Sequence, residues 1–173
     1  AVHYGSHLAK LDEIKNICKD KNLFFIDDAA QAFGSKYKDK HAGTYGNFGC
    51  FSFHETKNIH CGMGGAFVTD NELMYEKAIV IWERGTDRQK KLLGLVDKYT
   101  WREIGGSYYP SELQAAFLLA QLEEYEKNFE KRKVIYETYE ENIDQISKEF
   151  NFFYKKISKE ITSNFHSFYI ILN

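Results

Sequence analysis

The chain has 173 residues, 43% of them hydrophobic, with 23 Lys and Arg against 25 Asp and Glu for a formal net charge of -2. That length and composition allow one globular domain with a sizeable core and exclude a disordered chain. The balanced charge gives no electrostatic case for nucleic acid or an anionic membrane, and no apolar run approaches the roughly 20 residues that span a bilayer.

Val2 to Tyr4 reads as the end of a strand. Leu8, Leu11, Ile14 and Cys18 recur at helical spacing, which predicts an amphipathic helix over about 7–22. The continuous apolar run LFFID at 23–27 predicts a strand buried on both faces. Strand, helix and strand so close together predict a βαβ unit, and hence a parallel sheet. Turn formers including Gly34, Gly43 and Gly46 follow, then strands over about 49–54 and 65–69, then a helix over about 71–84 that starts at Asp70-Asn71. Residues 85–110 have no clear period, and a stretch of that kind inside a compact protein is usually functional or mobile. Ser111 with Gln114 forms a capping-box pattern after the only proline, Pro110. One apolar face then runs through Leu113, Ala116, Phe117 and Ala120, and another through Phe129, Tyr136, Ile143 and Phe150. These predict one long helix or two in series over 111 to about 149. The opening AVHYGS, without Met, and the strand-like close FHSFYIILN read as the ends of a segment of a longer protein.

Chemistry concentrates near the ends of the early strands. Ligands of open α/β sheets bind beyond the carboxyl ends of strands, and 23–27 runs into the pair Asp27-Asp28. A carboxylate there can cap the next turn, or it can hold a pyridinium nitrogen protonated; Asp28 is the candidate for the second role. Gln31 follows, and the alanines at 29, 30 and 32 leave room for a flat ring. Ser52 alternates with Phe51 and Phe53, so its hydroxyl faces away from them and can bind a phosphate or simply fill a strand. Lys57 stands between that strand and Gly62, Gly64 and Gly65. It is either a surface lysine or one that forms a Schiff base, which burial would favour. The histidines show no HxH or HExxH spacing, so no metal site is expected. The three cysteines are odd in number and widely spaced, which points to a reducing cytosol.

The run FFIDDAAQAFGSKYKDKHAGTYGNFGCFSFHETKN resembles the DegT/DnrJ/StrS family of pyridoxal-phosphate sugar aminotransferases. The resemblance implies the cofactor lysine at Lys57, the pyridine-nitrogen partner at Asp28, the side chain over the ring at Gln31 and a phosphate ligand at Ser52. It implies an α/β fold of fold-type I, with a mixed, mostly parallel sheet, flanking helices and a long connecting helix. Residues 1–110 would be the central part of the cofactor-binding large domain, 111–150 the connecting helix or helices, and 151–173 the start of a small C-terminal domain. The later run VDKYTWREIGGSYYPSELQAA is similar to the branch of WecE-type TDP-4-keto-6-deoxyglucose aminotransferases, which use glutamate as donor to make TDP-4-amino-4,6-dideoxygalactose for surface polysaccharide. It places Ser107 where many relatives carry an Asn that reaches the partner subunit's cofactor in a homodimer. A nucleotide sugar and glutamate are the partners implied, in the cytoplasm. The family's GEGG appears as Gly62-Met63-Gly64-Gly65, a departure beside the cofactor loop. Related sugar dehydratases replace the lysine with histidine, which Lys57 argues against. A non-catalytic α/β interaction domain is the reading from another class.

Overall fold

The computed structural model describes residues 1–147, 149–150 and 152–172. In chain order it forms α1 (Leu11–Asp20), β1 (Ile26–Asp28), β2 (Lys36–Tyr37), β3 (Lys40–His41), β4 (Phe48–Ser52), β5 (Gly65–Val68), α2 (Glu72–Trp82), α3 (Arg88–Leu92), α4 (Glu112–Glu123), α5 (Tyr125–Ile146), β6 (Phe152–Phe153), β7 (Ile161–Thr162) and β8 (Ile171–Leu172). The sheet that organises the molecule has the order β1-β4-β5, with β1 parallel to β4 and β4 antiparallel to β5. Val2 bridges Asp28 in parallel, so the expected first strand is reduced to one bridge and the βαβ connection through α1 is kept. β2 and β3 form a hairpin whose two turn residues, Lys38 and Asp39, both have positive φ (46° and 64°). Such turns match the twist of paired strands. β7 returns to pair with the other edge of β2.

Several elements differ from expectation for local reasons. α1 starts at Leu11 rather than about residue 7, because residues 4–7 turn back on themselves through His7 N–H to the Tyr4 carbonyl, with Gly5 at φ 64°. Leu8 still packs on the same cluster as Leu11, Phe25 and Tyr37. The 23–27 run is not buried on both faces. Phe25 and Asp27 are buried, while Leu23, Phe24 and Ile26 are exposed. Core packing covers the Phe25 side alone among the described residues, so the run alternates. Residues 85–110 are better ordered than their lack of period suggests. α3 lies within them, and Asp87 accepts the Thr100 amide and the Arg102 Nε–H, each at 2.7 Å. Gly85 and Gly105 let the two arms of this loop touch: a Cβ on Gly85 would lie 1.8 Å from the Glu103 carbonyl oxygen.

The helical region is two helices in series, broken at Glu124. The capping box forms as expected, with Ser111 Oγ accepting the Gln114 amide and Gln114 Oε1 accepting the Ser111 amide. The inward face of α4 differs from the one expected. Leu113 is 84% exposed and Phe117 half exposed. Leu118 instead packs with Tyr125 on Phe53, Ile59 and Cys61, and Gln114 Nε2 donates to the Met63 carbonyl at 3.0 Å. α5 behaves as its spacing indicates along much of its length: Phe129 and Tyr136 pack against Phe165 with tilted rings, and Tyr136 also meets Phe168 edge-on. Phe150, expected on that face, is exposed.

The polar centre of the fold is Asp27, which has no solvent exposure. His3 Nε2 lies 2.6 Å from Asp27 Oδ1, and the amides of Gly43 and Tyr45 donate to Oδ2 at 2.8 and 3.0 Å. The Ala9 amide donates to His3 Nδ1, which leaves the proton on Nε2 to face the carboxylate. Burial would raise the Asp27 carboxyl, but the His3 hydrogen bond and the two amides outweigh it and hold it below its usual value. Because the folded value is depressed, this contribution to stability is present above the unfolded carboxylate pKa of about 3.9 and is lost as pH falls through the folded value. Asp27→Ala leaves His3 and two amides unpaired inside the fold. It should destabilise the full-length protein by about 3–5 kcal/mol in denaturant titration, whereas Asp28→Ala should change stability far less.

Candidate active site

Strand alternation sorts the residues around the sheet. Ile26, Asp28, Phe48, Cys50 and Ser52 share one face, because β1 and β4 pair Ile26 with Phe48 and Asp28 with Cys50. Asp27 and Phe51 point the other way, into the core. The adjacent acids therefore divide: Asp27 is structural and Asp28 is half-buried on the opposite face. Asp28 Oδ1 accepts the Ala30 amide at 3.0 Å, the Cys50 thiol also hydrogen-bonds to the carboxylate, and among the described residues no backbone donor reaches its second oxygen. Beside it, burial first and then Asp28 push the Cys50 thiol pKa up.

Ser52 ends β4 two residues beyond Cys50, half-buried, and its Oγ accepts the His54 amide at 3.3 Å. Lys57 follows on the loop joining β4 to β5 and is half-buried. Its amide donates to the His54 carbonyl at 2.9 Å. The base of the loop is closed by Phe53 N–H to the Gly64 carbonyl and Cys61 N–H to the Phe53 carbonyl, and Ile59 is buried beneath it. Gln31, in the turn after β1, accepts the Gly5 amide on its side-chain oxygen at 2.8 Å. Asp28, Gln31, Ser52 and Lys57 thus all lie at or just beyond the carboxyl ends of two neighbouring parallel strands, where such sheets bind ligands. Ser107 is elsewhere: it is exposed, it bridges Glu83, and no contact within the described residues joins it to the other four. The alanines divide as well. Ala29 and Ala32 are closed in the core against Ala42, Leu8 and Phe51, so they cannot make room for a ring, and Ala30 alone remains half-buried. Met63, in place of the expected glutamate, is exposed, and its carbonyl is used by Gln114.

Sequence reasoning overlooked four polar residues behind the Lys57 loop: Asn58, Arg132, Asn164 and His166. Asn58 Nδ2 donates to the Asn164 carbonyl at 2.7 Å, and His166 Nδ1 lies 2.8 Å from Asn58 Oδ1. Burial, then the charges of Arg132 and Lys57, push the His166 pKa down, so the imidazole feels the lysine. Asn58 meets its partners Asn164 and His166 across 106 and 108 residues of chain, and no local pattern marks them. The donor set fits pyridoxal phosphate: an amine for its carbonyl carbon, a carboxylate oxygen without a backbone partner for its ring N–H, and a hydroxyl for its phosphate.

The chain matches the DegT/DnrJ/EryC1/StrS aminotransferase family over residues 1–173. It is 32% identical over 171 residues to a GDP-perosamine synthase of Escherichia coli O157:H7, covering 98% of this chain and 43% of that protein. It is 35% identical over 139 residues to the putative pyridoxal phosphate-dependent aminotransferase EpsN of Bacillus subtilis, covering 80% of this chain and 34% of that one. A crystal structure of a DegT DnrJ EryC1 StrS aminotransferase from Brucella abortus superposes with a TM-score of 0.81 at 26% identity, over 96% of this chain and 41% of the other. The chain spans less than half the length of these relatives.

The division of the two acids is open to a direct chemical check. Asp28→Asn should lower the Cys50 pKa and speed its alkylation by iodoacetamide several-fold at about pH 8, read by peptide mass spectrometry. An unchanged rate would mean that Asp28 does not act on Cys50. The β1–β4–β5 sheet with its flanking helices has the α/β architecture of part of a fold-type I large domain, and the chain belongs to the DegT/DnrJ/EryC1/StrS aminotransferase family.

Proposed function

We propose that the protein containing this chain is a pyridoxal-phosphate-dependent aminotransferase that moves an amino group from glutamate to the keto group of a nucleotide-linked sugar. The observation that carries this reading is the convergence of Asp28, Ser52 and Lys57 at the carboxyl ends of β1 and β4, with Asp27 turned away into the core. Pyridoxal phosphate, when bound, supplies the electron sink for breaking a carbon–hydrogen bond next to nitrogen. Lys57 Nζ would hold the cofactor through its carbonyl carbon. The same Nζ, when free, would take the proton from the donor α-carbon and later return one to the sugar carbon. Asp28 would keep the ring nitrogen protonated, Gln31 would pack over the ring and Ser52 would hold the phosphate. Ser107 serves the phosphate of the other subunit in a homodimer, which accounts for its separation from the rest of the site within one chain. Among the described residues no helix is long and apolar enough to cross a membrane. A cytoplasmic enzyme of surface-polysaccharide synthesis is part of this reading.

For the substrate, the run VDKYTWREIGGSYYP favours TDP-4-keto-6-deoxyglucose, converted to TDP-4-amino-4,6-dideoxygalactose. A GDP-linked 4-keto sugar is the second reading, favoured by the likeness to GDP-perosamine synthase across almost the whole chain. Offering the full-length protein both nucleotide sugars with glutamate decides between them; turnover of neither would reject both.

Borohydride reduction of the full-length protein with pyridoxal phosphate should put the cofactor mass on the peptide containing Lys57, and Lys57→Ala should abolish turnover. Label on Lys36, Lys38 or Lys98 instead would overturn the assignment. Asp28→Asn should keep the cofactor but lower turnover, on the order of 10²–10³-fold, because a neutral amide cannot hold the ring nitrogen protonated.

A further inference from the structure

The Lys57 loop has few ties of its own. Among the described residues, no backbone hydrogen bond is donated by the amides of residues 58–60, between those of Lys57 and Cys61. Ile59 fixes the depth of the loop through apolar burial, which is non-directional. Direction comes from Asn58, which uses both ends of its amide on the segment after β7. Its Nδ2 donates to the Asn164 carbonyl, so its Oδ1 is the acceptor and His166 Nδ1–H the donor, which fixes the imidazole tautomer.

That segment is itself held from two sides. Arg132 Nη2, on α5, donates to the His166 carbonyl at 3.0 Å. Asn164 Nδ2 donates to the carbonyls of Gln31 and Phe33 at 2.8 and 3.1 Å, so the junction also grips the turn that carries Gln31. A small cavity adjoins it, lined by Asn58, Asn128, Arg132 and Asn164 with Tyr125 and Phe129. Two buried atoms of its wall lack a protein partner: Arg132 Nε, a donor, and Asn164 Oδ1, an acceptor. With room for about one water, the space suits a molecule that accepts from the first and donates to the second.

We propose that Asn58 is a positioning residue for Lys57, aiming the lysine loop from a polar junction with Asn164, His166 and Arg132. The proposal rests on the reading of Lys57 as the cofactor lysine, since only a reacting amine needs its direction held. A lysine placed about 1 Å off its reacting partner loses on the order of 10²-fold in rate.

Two variants of the full-length protein test it. Asn58→Asp puts a carboxylate against the imidazole, while Arg132 from α5 and Lys57 from the loop remain the cations facing it. The His166 pKa, read by NMR on ¹³C-histidine and assigned with His166→Gln, should rise by about one pH unit or more. Asn58→Ala should speed hydrogen exchange at residues 54–61 at least about tenfold while β4 and β5 stay protected. It should also move the pH midpoint of the visible band of cofactor held on Lys57, which a loss of stability alone would not do. An unmoved His166 pKa in Asn58→Asp, or unmoved exchange and midpoint in Asn58→Ala, would overturn the proposal. Should the alanine variant fail to fold, the His166 measurement in the aspartate variant decides. If borohydride labelling misses Lys57 while the pKa and exchange results hold, the aminotransferase reading fails and the junction itself stands.

Discussion

The buried Asp27 carboxylate gathers distant parts of the chain around one charge. His3 comes from the strand end before α1, and the Gly43 and Tyr45 amides come from the loop that leads into β4. A charge without solvent is tolerable only when its lone pairs are met, so these segments must close together or not at all. Closing them sets β1 beside β4 with Asp27 facing inward. Alternation then obliges Asp28 to face the other way, beside Cys50 and on the same side as Ser52. The placement of the candidate site's face is thus a consequence of a buried, hydrogen-bonded carboxylate one residue away.

A second set of constraints comes from the end of the chain. β7 extends the β2–β3 hairpin, and the residues that follow reach under the Lys57 loop and the Gln31 turn through Asn164 and His166. α5 supports them with Phe129 and Tyr136 against Phe165, and with Arg132 on the His166 carbonyl. The sheet supplies the floor of the site and the returning segment supplies its bracing. Apolar residues on β1, α2 and α4 remain exposed, among them Ile26, Leu73 and Leu113.

Much of the local architecture was legible from the residues alone. The capping box at Ser111, the helix start at Asn71, the strand before Lys57 and the opposed directions of Ser52 and its flanking phenylalanines all follow from spacings of a few residues. The misjudged features share a different cause. The 23–27 run looked doubly buried because every residue but the last is apolar, and hydrophobicity does not say how many layers will cover a strand. The inward face of α4 was missed because two stripes compete on that helix, and Tyr125, docked over Gly34 and against Phe33, chooses the one containing Gln114 and Leu118.

By itself the sequence determined which groups are available for chemistry and their order: two adjacent acids at a strand end, a serine within the next strand, and a lysine before three glycines. Those readings hold because backbone periodicity and turn chemistry act over one or two turns of chain. Only the tertiary structure decided which acid is buried, since alternation separates the two without saying which side becomes the core. It alone joined Asn58 to Asn164 and His166, 106 and 108 residues away. Such pairings depend on where the chain returns after two helices and a hairpin edge, and no local spacing encodes the end point of that path.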